Sequence, residues 1–417
     1  MSKSVSLLLK AIPTGLSKAI AMSGAIVLQW VLAQHLTLAE VGNFVTLLVL
    51  LAGLSVVFRY GADQLLLREG GYYYSQADFR SLSGIFSHLF KYVLKRGLLL
   101  TVVLSPILIY FLVPALELLT IQASSVFILI APFYGLLMLI AALHRASERH
   151  LIAPLWEQGG VSLVTTLILI LLWPFGVISF NVALVILLSI ILALVVPYGF
   201  KAFKNIDGNT DIDKNVKRDF GWIQMSSFIT QWGVVLVLGA LGESEEVGLL
   251  TTSLRIAMLV NFILIVFNSF LGPKFASYSY TNQMKKLKML AKKSSLMMFL
   301  IALIPSSILF FASTQVLALF GEEYIAGALM LKVFVIGQLF NVFTGSVLVS
   351  LNMTGNQNYV RKLVMSTGAV TLVLIIPVVV YGGGLGAAIF IAAVNIASNL
   401  IGLIIAKRKL GFTTLPV

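Results

Sequence analysis

The chain of 417 residues contains no cysteine, which excludes disulfides and thiolate metal sites. Charge is also scarce: only 11% of residues are Asp, Glu, Lys or Arg, against 59% hydrophobic, and the mean hydropathy is +1.00. A water-facing surface needs about a quarter of the residues charged, so the solvent of this chain is mostly the bilayer. No Walker motif occurs, which removes ATP hydrolysis as its own power source. The four histidines, His35, His88, His144 and His150, have no metal-ligand spacing and read as solvated or interfacial side chains. Alternating apolar and polar residues of the kind a membrane barrel needs are absent, so the class is all-α.

Long apolar runs fill the space these absences leave. A hydrocarbon core of about 30 Å takes roughly 20 helical residues. Twelve segments meet that length: 12–34, 41–62, 92–114, 122–144, 156–175, 179–200, 219–240, 247–271, 295–316, 326–350, 362–381 and 384–406. The first continues past the length of a signal-peptide core and reads as an uncleaved span. With the N-terminus inside and loops alternating, the inner segments hold 26 of the 29 basic residues and the outer loops none. The outer loops carry only acids: Glu40, Glu117, Glu243, Glu245, Glu246, Glu322 and Glu323. This asymmetry places both termini in the cytoplasm. Two inner stretches are amphipathic, one with Phe79, Leu82, Phe86, Leu89 and Val93, the other with Met284, Leu287 and Leu290. Both are expected to lie on the anionic inner leaflet.

The second half echoes the first. Glu40-Val41-Gly42 recurs as Glu246-Val247-Gly248, an offset of 206, while Gly160 matches Gly368 and Gly176 matches Gly384 at 208. Six spans per half is an even number, so both halves enter the membrane with the same orientation, a parallel repeat about the membrane normal. The expected organisation is an N-lobe over 1–203, a polar cytoplasmic linker over 204–218 and a C-lobe over 219–417.

Three cations fall within spans: Lys18, Arg255 and Lys332. Each costs at least about 2.5–3.5 kcal/mol at a helix centre and so needs a partner, water or a function. Lys18 can snorkel to inner headgroups; Arg255 would have to snorkel to the side that otherwise lacks positive charge. The acids Asp63, Glu157 and Asp219 read as inner helix ends, leaving no carboxylate at depth. A cationic cavity would attract an anion. Gln29, Gln224, Gln231, Asn261, Asn268, Gln338 and Asn341 suit either sugar hydroxyls or bonds between helices, and Gln224 and Gln231 are spaced to share a helix face. Gly382-Gly383-Gly384-Leu385-Gly386 follows no strand and reads as a turn between spans.

The order of short motifs is more specific. Glu-Val-Gly entering the second span, Phe320-Gly321-Glu322-Glu323-Tyr324 with Gly327-Ala328, Gln338-Leu339-Phe340-Asn341 and the closing Gly384-Leu385-Gly386-Ala387-Ala388 resemble the multidrug/oligosaccharidyl-lipid/polysaccharide (MOP) exporter superfamily. Within it the chain resembles the Wzx-type polysaccharide flippases over nearly its whole length. The resemblance implies a V-shaped, two-lobe inner-membrane transporter without cofactor or metal. It would move undecaprenyl-pyrophosphate-linked oligosaccharide from the inner to the outer leaflet for O-antigen, capsule or exopolysaccharide assembly. Its partners would be that lipid-linked substrate, membrane lipids, a polysaccharide polymerase and a chain-length regulator, with no nucleic acid.

The alternatives differ in one feature each. A drug exporter of the same superfamily typically uses a carboxylate in helix one, where this chain has lysine. A lipid II flippase usually carries two more helices. A membrane polymerase or ligase needs large outer loops, and those here are short.

Overall fold

A computed structural model describes residues 20–21, 23–115, 121–149, 151–204 and 214–415. These residues are helical throughout, with connections of a few residues and no strand among them. The principal helices are α1 (Ser23–Ala33), α2 (Leu38–Arg59), α3 (Phe79–Ala115), α4 (Ile121–Ala146), α5 (Gln158–Leu172) and α6 (Phe180–Lys204). They continue with α7 (Lys214–Ala240), α8 (Ser244–Tyr280), α9 (Met284–Phe311), α10 (Ala328–Thr344) and α11 (Gln357–Leu410). Helix is the only open architecture that satisfies every backbone group without water. Among the described residues, nine helices are long and apolar enough to cross a membrane, and Ser23–Ala33 and Gly159–Phe175 are shorter apolar helices.

The 54-residue α11 is not straight. Gly383 has φ 54° and ψ −153°, a conformation open to glycine. The Lys409 ammonium lies 4.6 Å from the centre of the Tyr359 ring, whereas a straight helix would separate these residues by about 75 Å. Val360, Leu403 and Ala406 also share one apolar cluster. The chain therefore reverses at Gly383, and Arg361 and Lys362 come to the same end as Lys407, Arg408 and Lys409. The glycine-rich segment expected to be a turn is one.

By compactness the chain forms two units. One takes in Ser17–Phe228 and Val235–Gly248, the other Ile229–Val234 and Leu249–Val417, so the division runs through α7. The core of the first packs Phe44 and Phe58 of α2, Phe90 of α3, Phe127 and Tyr134 of α4 and Ile191 of α6. In the second, α10 lies against both α9 and α11.

Two expectations need correction. Of the stripe expected on the leaflet, Leu82, Phe86, Leu89 and Val93 are buried within the continuous helix α3, the last three in the first unit's core, and only Phe79 is exposed. Met284, Leu287 and Leu290 likewise open α9, where Leu287 is fully buried. An apolar stripe fits protein or lipid equally, because both are apolar. His144 is also not wetted. It is 4% exposed, stacks on Trp156 at 5.6 Å and shares a 2.8 Å hydrogen bond with the Tyr198 hydroxyl.

The repeated Glu-Val-Gly motif has a packing role. Thr37 caps α2: its hydroxyl accepts from the Glu40 amide at 3.3 Å, and the Glu40 carboxylate accepts from the Thr37 amide at 2.9 Å. A Cβ on Gly42 would overlap the Ser244 carbonyl, and one on Gly248 would sit 2.8 Å from the Leu38 carbonyl. Ser244 is Leu38 shifted by 206, as Gly248 is Gly42. The contact is thus reciprocal: each glycine meets the carbonyl four residues before the other. The Ser244 hydroxyl donates to Asn43 Oδ1 beside it.

Both glycines should resist enlargement. Gly42→Leu is expected to destabilise the purified protein by about 1–3 kcal/mol, the usual cost of overpacking, read as a lower melting temperature in detergent. An unchanged melting temperature would show that α2 and the start of α8 do not pack this closely.

Candidate functional site

Two polar constellations stand out from the apolar helices, one in each compact unit.

In the first unit, α2 ends where Tyr60 adopts φ 42° and Gly61 φ 84°, turning the chain so that Asp63 faces back toward Arg59. Arg59 and Asp63 are 7% and 2% exposed and form an ion pair. Arg59 Nε donates to the Ser55 carbonyl at 3.1 Å and an Nη to the Ser55 hydroxyl at 3.2 Å. Gln224 Nε2 of α7 donates to Asp63 Oδ2 at 2.8 Å. Asp63 is therefore a buried, paired carboxylate just beyond the end of α2.

A buried pair of this kind costs desolvation that its own attraction only partly offsets, so the added Ser55 and Gln224 bonds matter to its stability. Next to it, cations meet aromatic rings. The Arg96 guanidinium lies 4.6 Å from the Tyr60 ring and donates to the Tyr92 hydroxyl at 2.8 Å, and Lys217 lies 3.7 Å from the Tyr92 ring.

In the second unit, a chain of amides ties three helices. Asn341 Nδ2 of α10 donates to Asn261 Oδ1 of α8 at 3.0 Å, and Asn399 Nδ2 of α11 donates to Asn341 Oδ1 at 3.0 Å. Asn399 Nδ2 also lies 3.0 Å from Asn395 Oδ1, one turn away, and Thr344 Oγ1 donates to Asn399 Oδ1 at 3.1 Å. The Thr414 hydroxyl donates to the Thr344 carbonyl, where α10 breaks at Gly345. Each interhelical bond inside a membrane is worth about 0.6–2 kcal/mol.

Arg255 lies in the same unit, about 16 Å along α8 from Ser244, and is 7% exposed. The only carboxylates after Glu246 in the sequence are Glu322 and Glu323. Gln338, 7% exposed, and the half-buried Asn268 each keep an amide oxygen without a hydrogen-bond partner among the described residues.

The remaining candidates are scattered. Lys18 lies outside the described residues. Gln29 is buried in α1 at 1% exposure. Lys332 is half-buried, its ammonium 5.7 Å from the Phe310 ring. Gln224 and Gln231 do not act as one face: the first bonds Asp63, and the second is exposed and belongs to the other compact unit.

Asn395, Asn399, Thr344 and Thr414 are absent from the residues that the sequence singles out, although two asparagines one turn apart in an apolar helix are a legible sign. So is Arg59 four residues before Asp63, hidden because both fall at the predicted end of a span. Among the described residues no His, Asp and Glu cluster could hold a metal ion.

No family model matches the chain, and no curated protein does. Solved structures do match in fold. An inward-facing multidrug resistance MATE-family transporter of the MOP superfamily aligns at TM-score 0.69 and 15% identity, over 95% of this chain and 98% of that one. A MOP superfamily transporter from Pyrococcus furiosus, described as having a binding pocket of reversed polarity that suggests a different function, aligns at TM-score 0.63 and 15% identity, over 99% and 98%. A point mutant of the Vibrio cholerae MATE transporter VcmN aligns at TM-score 0.56 and 14% identity, over 98% and 97%. These neighbours are transporters and not enzymes. The chain has the fold of the MATE and MOP superfamily transporters, an all-helical, multi-pass membrane fold.

Proposed function

We propose that the chain is a flippase. It carries an undecaprenyl-pyrophosphate-linked oligosaccharide from the inner to the outer leaflet of the cytoplasmic membrane by alternating access, for surface polysaccharide assembly. The observation that carries this reading is the chemistry of the second unit. A buried arginine shares it with amides and hydroxyls, and its spans are free of carboxylates.

Such a set suits an anion bearing hydroxyl groups and offers an organic cation no counter-charge. In the proposed organisation the reversal at Gly383 divides α11 into two spans, and α1 and α5 cross as well. That makes twelve helices in two lobes related by the repeat, with both termini cytoplasmic. Arg255, Lys332 and Lys18 are proposed to meet the pyrophosphate. Gln29, Gln224, Gln231, Asn261, Gln338 and Asn341 are proposed to meet the sugars or hold the helices that do. A polymerase and a chain-length regulator would act on the product.

A second reading, a MATE-like exporter of drugs or metabolites, is favoured by the fold of the solved neighbours and by the buried carboxylate Asp63. The two readings separate by experiment. Arg255→Ala and Arg255→Glu are expected to lower surface polysaccharide about tenfold or more at unchanged protein level, the effect of losing one charged hydrogen bond. Normal polysaccharide from a well-expressed Arg255→Glu strain would refute the role. In a host stripped of its drug exporters, expression of the chain should leave drug resistance unchanged. A severalfold rise in resistance that Asp63→Asn abolishes would instead establish the exporter.

A further inference from the structure

A groove of about 200 Å³ opens between α3, α4 and α6 in the first compact unit. Its floor is Phe90 and Leu136, both buried, and its rim is formed by Phe200 and Phe203, which are 75% and 54% exposed. Every residue lining it is apolar. Gly199 leaves room on its wall: a Cβ there would meet nothing closer than the Phe90 ring at 3.7 Å.

One end of this groove is cationic. Lys91 reaches to 5.8 Å from the Phe203 ring at the rim. None of the three helices contains a carboxylate anywhere along its length. Lys91 is among the basic residues that the charge asymmetry assigns to the cytoplasmic face.

We propose that the groove is a binding site for an anionic glycerophospholipid of the inner leaflet, with one acyl chain lying along Phe90, Leu136 and Gly199 and the phosphate held by Lys91. An apolar channel alone would accept any lipid. A cation at its rim, on helices that carry no acid, selects the anionic one. This site is independent of the transported substrate and stands whichever substrate the chain carries.

The test is lipid retention by the purified full chain, measured by native mass spectrometry after incubation with equal amounts of phosphatidylglycerol and phosphatidylcholine. Wild type should retain phosphatidylglycerol over phosphatidylcholine about fivefold. Lys91→Ala should bring the ratio near one. Gly199→Phe, which fills the groove and places its Cβ at ordinary contact distance, should lower retention of both lipids severalfold, with the melting temperature in lipid-free detergent checking that it folds. Equal retention of the two lipids by wild type, a lysine variant with the full preference, or a folded Gly199→Phe that keeps its lipid would each overturn the site.

Discussion

The structure depends first on the inability of hydrocarbon to solvate a polar group. Backbone amides and carbonyls must pair within their own segment, so the apolar runs become helices and nothing else. Charged side chains must leave the membrane, pair or be held by protein. Arg59 is counted with the inner basic residues by sequence, yet in the fold it is buried and paired with Asp63. Arg255 is buried in α8, and Lys332 rests near an aromatic ring. The few polar groups that stay inside therefore carry most of the information about function.

Those groups also hold the helices. Where water is absent the hydrophobic effect cannot drive one helix onto another, and close approach and shared hydrogen bonds take over. Gly42 and Gly248 supply the close approach in the first unit, and the Asn261–Asn341–Asn399 chain supplies the bonds in the second. The asparagine chain has a second consequence. Amides satisfied by one another are preorganised, and the spare oxygens of Gln338 and Asn268 are left as acceptors for hydroxyl donors.

Much of this is legible in the residues. Segment lengths mark the apolar helices, and the reversal at Gly383 brings Tyr359 and Lys409 together at one end of their segments. The two Glu-Val-Gly segments pack against one another, Gly42 on Ser244 and Gly248 on Leu38. What stays hidden has one physical cause. Periodicity marks an apolar face but cannot distinguish lipid from protein as its partner. Leu82, Phe86, Leu89 and Val93 thus fit the leaflet by pattern but pack in a core, and His144 fits water by position but stacks on Trp156. Polar residues can be weighed only singly in a sequence. The pairing of Arg59 with Asp63 and of Asn399 with Asn341 emerges only when the chain turns and separate segments meet in space.

The central claim is that an anionic, sugar-bearing lipid is what crosses. Its most direct test is flipping in vesicles that contain only this protein and a short-chain polyprenyl-pyrophosphoryl oligosaccharide. Transfer is followed by the exposure of the sugar to an enzyme or lectin added outside. The account predicts protein-dependent exposure of the lipid-linked sugar, with no uptake of organic cations by the same vesicles. Absence of sugar exposure in vesicles that accumulate an organic cation would contradict it.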